Sequence, residues 1–199
     1  MSRFVLVVAS VIFAIAFWIY NKGVFKGRHT PAIAAWGVYV LVTFVNSTIN
    51  LDLTADWVNT LVLFTDFAGC TLTFFVVLFK QKGKIQVDDT DKKIVLVSLV
   101  AVLIWKMTGV AWIGDVFNLV AYTFAFLPTL RNVLANPKNE PSLPWIMWVG
   151  ALGLNVFALS VNPKTSWMDY ISPVIYILYH GIIALLALRP QKIHLHDTM

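Results

Sequence analysis

Charge is scarce in this sequence. Only 13% of its 199 residues are Asp, Glu, Lys or Arg, while 59% are hydrophobic. Soluble domains carry about 25% charged and about 45–50% apolar residues. Too few polar side chains remain to coat a globule in water, and a lipid bilayer is the solvent that fits. Cysteine is nearly absent as well. Cys70 stands alone, which excludes an intramolecular disulfide, and no Cys/His zinc spacing occurs. There is no Gly-rich phosphate loop, no His-x-x-x-His pair and no nucleophile–base–orienter set. No cofactor, metal or enzymatic chemistry is therefore expected. The formal charge is +5, but its basic residues are scattered through short loops. Nucleic-acid binding needs a patch with interleaved aromatics, so that partner class is set aside.

What the chain does have is long apolar runs. About 20 mostly apolar residues cross a bilayer as a helix. Seven segments meet that measure, at roughly 4–20, 31–51, 57–79, 94–113, 115–134, 142–161 and 168–188. The fourth and fifth are separated only by a tight turn expected near Gly114. Arg3 and the run after it resemble a signal peptide. However, Tyr20, Asn21 and Lys22 follow without a small-x-small cleavage site, so the first helix is expected to stay. With the N-terminus outside, Lys22, Lys26, Arg28, Lys80, Lys82, Lys84, Lys92, Lys93, Arg131, Lys138, Arg189 and Lys192 fall in the cytoplasm. Only Arg3 and Lys164 fall outside, and Lys106 lies within segment four, where its stem can snorkel to the headgroups. This bias predicts an odd number of helices and a cytoplasmic C-terminus. Plasma (inner) membrane is the default location, because no organelle address is readable.

The two halves of the chain resemble each other at a shift of about 110 positions. Phe13, Ala14 and Asn21 align with Phe124, Ala125 and Asn132, Trp36 with Trp148, and Trp57 with Trp167. The expected fold is an all-α integral membrane protein of two parallel three-helix repeats joined by a linker helix. The divisions are 1–80, 81–113 and 114–199. Parallel repeats of this kind occur in transporters, with the substrate site between the units near the midplane.

Ala125-Phe-Leu-Pro-Thr-Leu-Arg131, then Asn136-Pro137, then Ser142-Leu-Pro-Trp145 resembles the PQ motif. That motif is a proline-bearing helix with a basic inner end, a short loop and the next helix. With the three-plus-one-plus-three arrangement, the chain resembles the SWEET and PQ-loop sugar transporters and the PnuC vitamin transporters. Thr129 stands where those families usually have Gln, and Phe17 falls opposite Pro128 in the first unit. The motif itself covers about residues 122–180.

Ionisable and polar residues inside apolar runs are costly and face a polar interior. Asn59, Asp66 and Thr73 recur every seven residues on one face of segment three. Asp66 reads as a substrate or proton site, or as a hydrogen bond joining two helices. Asp169, Ser172, Tyr176 and His180 form a stripe in segment seven. His180 reads as a proton relay or as a buried, hydrogen-bonded ring. By the repeat, Tyr176 matches Asp66 and His180 matches Cys70.

Trp148 and Asn155 share a face of segment six, with Trp36 and Thr43 as their mates. The SWEET resemblance implies ring stacking on a solute by the tryptophan and polar contact by the asparagine. Near helix ends, though, tryptophan anchors at the interface. The anchor reading is taken for Trp36, Trp145, Trp57 and Trp167, and Trp148 stays open between the two. Asp115, Asn118 and Tyr122 share the outer face of segment five, above Pro128. Pro128 is either a hinge or a static kink.

The substrate-binding set is accordingly Asp66, Thr73, Asn118, Tyr122, Trp148, Asn155, Tyr176 and His180. The expected function is transport of a small polar solute, such as a sugar, a nucleoside-like vitamin or an amino acid, by alternating access. The alternative is a non-transporting receptor on the same scaffold, as the KDEL receptors resemble it; the loop Gln81–Lys93 is its one candidate partner site, and the mixed charge of that loop otherwise reads as a solvated connection. No lysine in segment seven offers a retinal Schiff base. The expected partners are a small-molecule substrate and the lipid bilayer, with either a single chain or a homo-oligomer compatible.

Overall fold

A computed structural model describes residues 2–54, 57–81, 89–163, 165 and 167–190. The side chains of 52–54, 59, 90, 91, 94, 98, 101, 102, 105, 111–115 and 168 are excepted. Asn59 and Asp115 therefore lie outside the described side chains, and most of the loop Gln81–Lys93 lies outside the described residues.

The described residues are all-helical. The α-helices are α1 (Ser2–Phe25), α2 (Ile33–Thr54), α3 (Trp57–Lys80), α4 (Asp89–Thr108), α5 (Ala111–Ala135), α6 (Ser142–Ser160) and α7 (Ile171–Ala187). Short 3-10 turns span Pro137–Asn139 and Trp167–Tyr170. Among the described residues four helices, in α1, α2, α3 and α6, are long and apolar enough to cross a membrane, and α7 is a shorter apolar helix. In hydrocarbon a backbone must satisfy its own polar groups, and helices do so. Hydroxyls inside these helices follow the same rule. Ser10, Thr43, Ser47, Thr65, Thr71 and Thr123 each donate to the carbonyl four residues earlier, at 2.7–2.9 Å.

The outside is apolar. Phe75, Leu178 and Leu185 are 58%, 58% and 72% exposed. Such a surface is far larger than the single patch a soluble monomer shows, and it is the makeup of a multi-pass membrane protein. α4 begins earlier than its apolar run, at Asp89, and ends at Thr108. The expected break at Gly114 is corrected. The chain turns at Gly109, whose φ is 63°, and Gly114 lies within α5. The left-handed conformation that ends α4 suits glycine.

α3 packs between α1 and α2, while α7 packs against both α5 and α6. Across the middle, α1 packs on α6 and α2 on α5, and α4 lies against α5 and α2. Exchanging α1, α2 and α3 for α5, α6 and α7 reproduces every one of these contacts except those of α4.

The tightest approach is at Gly69 of α3, where an added Cβ would run into the Phe17 ring of α1. Phe17 cannot swing away freely, because its ring lies 4.8 Å from Trp148 and 6.3 Å from Trp36. Gly69→Ala is therefore expected to destabilise by about 1–3 kcal/mol through overpacking. The check is a lowered thermal midpoint, restored in part by Phe17→Leu.

Candidate functional site

Six helices meet around a small cavity lined by residues 17, 36, 39, 43, 66, 70, 122, 145, 148 and 180. Its volume is about 10 Å³, close to the space one water needs. The helices are closed around it. Aromatic rings form most of the wall. Trp148 lies 4.9 Å from Trp145, 5.7 Å from His180 and 6.5 Å from Trp36, centroid to centroid. Tyr122 lies 5.2 Å from Tyr39 and 4.3 Å from Tyr176.

Four of the expected site residues reach this wall: Asp66, Tyr122, Trp148 and His180. Tyr176 stands directly behind. Its ring backs Tyr122, and its carbonyl accepts from His180 Nδ1 at 2.7 Å. That bond puts the proton of a neutral ring on Nδ1 and leaves Nε2 as an acceptor. Asp66 accepts from Cys70 Sγ at 3.6 Å. The repeat mates Trp36 and Trp148 thus face each other, and the mates Cys70 and His180 share the same wall.

The other expected residues lie elsewhere. Thr73 is buried between α1 and α3, donating to the Gly69 carbonyl at 2.8 Å and accepting from Asn21 Nδ2 at 3.0 Å. Asn118 is buried on α5 and Asn155 half-buried on α6, neither of them on the cavity wall. Pro128 is buried inside α5, beside Thr129, whose Oγ1 lies 3.4 Å from the Tyr39 hydroxyl.

The anchor assignment of the tryptophans needs correction. Trp57 and Trp167 are exposed, at 66% and 70%. Trp36 and Trp145 are 3% and 2% exposed and line the cavity. The buried indole N–H of Trp148 has no hydrogen-bond partner among the described residues. Trp36 Nε1 lies within electrostatic reach of the Tyr20 oxygen but out of hydrogen-bond geometry.

Glu140 was invisible in the sequence reading. It lies between α5 and α6, yet is only 2% exposed. Tyr20 Oη donates to its Oε2 at 2.9 Å, Trp145 Nε1 to the same oxygen at 3.2 Å, and Asn132 Nδ2 to Oε1 at 3.4 Å. Burial pushes the carboxyl from 4.5 up to about 7, and the hydrogen bonds from Tyr20, Trp145 and Asn132 oppose that rise.

Around this knot the α1–α2 connection is laced to the α5–α6 connection. His29 Nδ1 pairs with the Lys138 carbonyl at 3.2 Å, Thr30 Oγ1 donates to Asn139 Oδ1 at 3.2 Å, and Asn132 Nδ2 donates to the Thr30 carbonyl at 2.9 Å. Gln81 Nε2 donates to the Pro31 carbonyl at 2.9 Å. Burial, and secondarily Arg28, hold the His29 imidazole below its ordinary pKa, against the opposing bond to Lys138. The basic end of the molecule is thus shut over the aromatic cavity.

No family model, curated protein or solved structure matches this chain.

Proposed function

We propose that this protein is a transporter of a small polar solute, built as two three-helix units with a linker helix, working by alternating access around the Asp66–Trp148–His180 cavity. The observation that carries this reading is the convergence on one cavity of repeat-related tryptophans with an ionisable Asp and His, beside an indole N–H that lacks an acceptor among the described residues. A buried unpaired donor costs about 1–3 kcal/mol. A solute hydroxyl or carbonyl would satisfy it, while the rings would stack on the solute's faces and Asp66 would take a donor or cation.

In this conformation the basic end is closed. Opening it would part Tyr20 from Glu140 and the α1–α2 connection from the α5–α6 connection, which are ties between the two units. Pro128 leaves α5 one backbone hydrogen bond short and suits a bend there. The resemblance to the SWEET, PQ-loop and PnuC transporters points the same way. Seven spans, with the N-terminus out and the basic end cytoplasmic, belong to the same proposal.

Two measurements test it. In a Cys70→Ser background, Lys93→Cys and Lys138→Cys are expected to react with a membrane-impermeant thiol reagent only after permeabilisation, and Asn162→Cys before it. Reaction of all three from one side would overturn the seven-span arrangement. Thermal stability against sugars, nucleosides, vitamins and amino acids, followed by uptake into proteoliposomes, tests transport itself. A ligand that binds the folded state raises its stability by mass action.

A further inference from the structure

A second cavity is larger than the central one. It lies at the basic end on the outside of α1 and the start of α6, with a volume of about 350 Å³. That falls in the lower part of the range typical for small-molecule sites, about 300–1,000 Å³. Lys22, Lys26 and Arg28 line it, and all three are exposed. Among the described residues, no carboxylate lines it. The nearby carboxylate in sequence, Glu140, is turned inward to Tyr20 and Trp145.

The lining also has apolar members: Trp18 and Ile19 of α1, with Leu143 and Pro144 of α6. Trp18 is 67% exposed and Leu143 53%. Exposed Ile15 and Val11 continue the apolar face down α1, and exposed Ile146 continues it along α6. Gly23 gives the site its shape. A Cβ there would strike the His29 ring, which sits against α1 while its Nδ1 pairs with the Lys138 carbonyl.

We propose that this groove binds the headgroup of an anionic phospholipid, the phosphate held by Lys22, Lys26 and Arg28 and the acyl chains lying along Trp18, Ile15 and Leu143. The proposal rests on the chain lying in a bilayer and not on what it transports. Three cations with no facing carboxylate among the described residues call for an anion. An apolar wall that runs on into the lipid-facing sides of α1 and α6 calls for an anion that carries hydrocarbon. A soluble phosphate would leave that wall uncovered. Basic recesses between helices near a membrane surface hold anionic headgroups for these reasons, and the surface potential of the cytoplasmic leaflet concentrates the lipid there.

Phosphatidylglycerol and phosphatidylcholine, titrated separately into the detergent-purified full chain and read by native mass spectrometry, test this. One phosphatidylglycerol is expected to bind at least tenfold more tightly than phosphatidylcholine. Each lost charge near an anionic headgroup is worth about fivefold, so Lys26→Ala with Arg28→Ala is expected to weaken that binding by about 30-fold. Lys92→Ala with Lys93→Ala, an equal loss of charge on α4, is expected to leave it within twofold. Soluble glycerol 3-phosphate is expected not to displace the lipid.

Equal binding of the two lipids would overturn the proposal. So would an equal loss in Lys92→Ala with Lys93→Ala, which would make the effect one of diffuse charge. Displacement by glycerol 3-phosphate would also overturn it, in favour of a free phosphate site. These substitutions sit on exposed side chains, so the variants fold. Trp18→Ala gives an independent reading, because it leaves the charge untouched and is expected to weaken lipid binding; unchanged binding would overturn the apolar half of the proposal.

Discussion

Glu140→Gln is expected to flatten the dependence of stability on pH between about 4.5 and 7. The carboxyl of Glu140 is raised from 4.5 to about 7 because it is buried beyond the reach of water. The folded protein therefore holds its proton over a range where the unfolded chain has released it. Stability from this group is fully present below 4.5 and is lost as pH rises to about 7. Each tenfold difference in proton affinity is worth about 1.4 kcal/mol, so the loss amounts to about 3 kcal/mol. His29 acts with the opposite sign. Its folded pKa is depressed, so its contribution grows as pH rises toward 6.5. It is shared by the wild type and the variant and cancels in their difference. The measurement is the difference in denaturation midpoint between the two proteins at a series of pH values. A difference that opens in favour of the variant as pH rises from about 4.5 to about 7, and levels off on either side, is the expected result. A constant difference would mean that Glu140 keeps the proton affinity of an exposed carboxyl.

Glu140 shows why part of the site was not legible in the sequence. Between Lys138 and Pro141 a glutamate reads as a solvated loop residue. Its burial comes from the α1–α2 connection folding across the α5–α6 connection through His29, Thr30 and Asn132. No local pattern records that contact. The same cover explains the tryptophans. Trp36 and Trp145 stand three residues inside the starts of α2 and α6, where interfacial anchoring is the ordinary expectation. Once the two connections lie over those helix starts, the side chains there are enclosed. Trp57 and Trp167 have no such cover among the described residues and are exposed.

The helices themselves were legible, because hydrocarbon thickness fixes their length and apolar content. Asp66 and His180 were legible for the reverse reason: ionisable side chains in apolar runs stand out and face inward. Thr73 shares a helical face with Asp66 but lies two turns closer to the basic end, where α3 meets Asn21 of α1 instead of the cavity. Spacing along a helix gives the face and leaves open which neighbour that face meets at each depth.

Trp148→Phe is expected to separate ligand binding from folding. Phenylalanine keeps an aromatic ring against Phe17 and Trp145 and removes the buried N–H that has no partner. Removing an unsatisfied donor favours the folded state, and the smaller ring leaves a small void that opposes it. The ligand-free thermal midpoint is therefore expected to move little. Binding is different. If the indole N–H bonds a solute oxygen, the variant leaves that oxygen buried and unpaired, at about 1–3 kcal/mol, or about 5- to 150-fold in affinity. Asp66→Asn belongs beside it, because it keeps the shape and removes only the charge. A cationic solute would lose more from Asp66→Asn than from Trp148→Phe, since charge-assisted hydrogen bonds are about twice as strong as neutral ones. A neutral solute would reverse that order. The readout is the ligand-induced rise in thermal midpoint for the wild type and both variants. A solute whose effect is unchanged in both would bind elsewhere, and the aromatic chamber would then be packing between the two halves rather than a binding site.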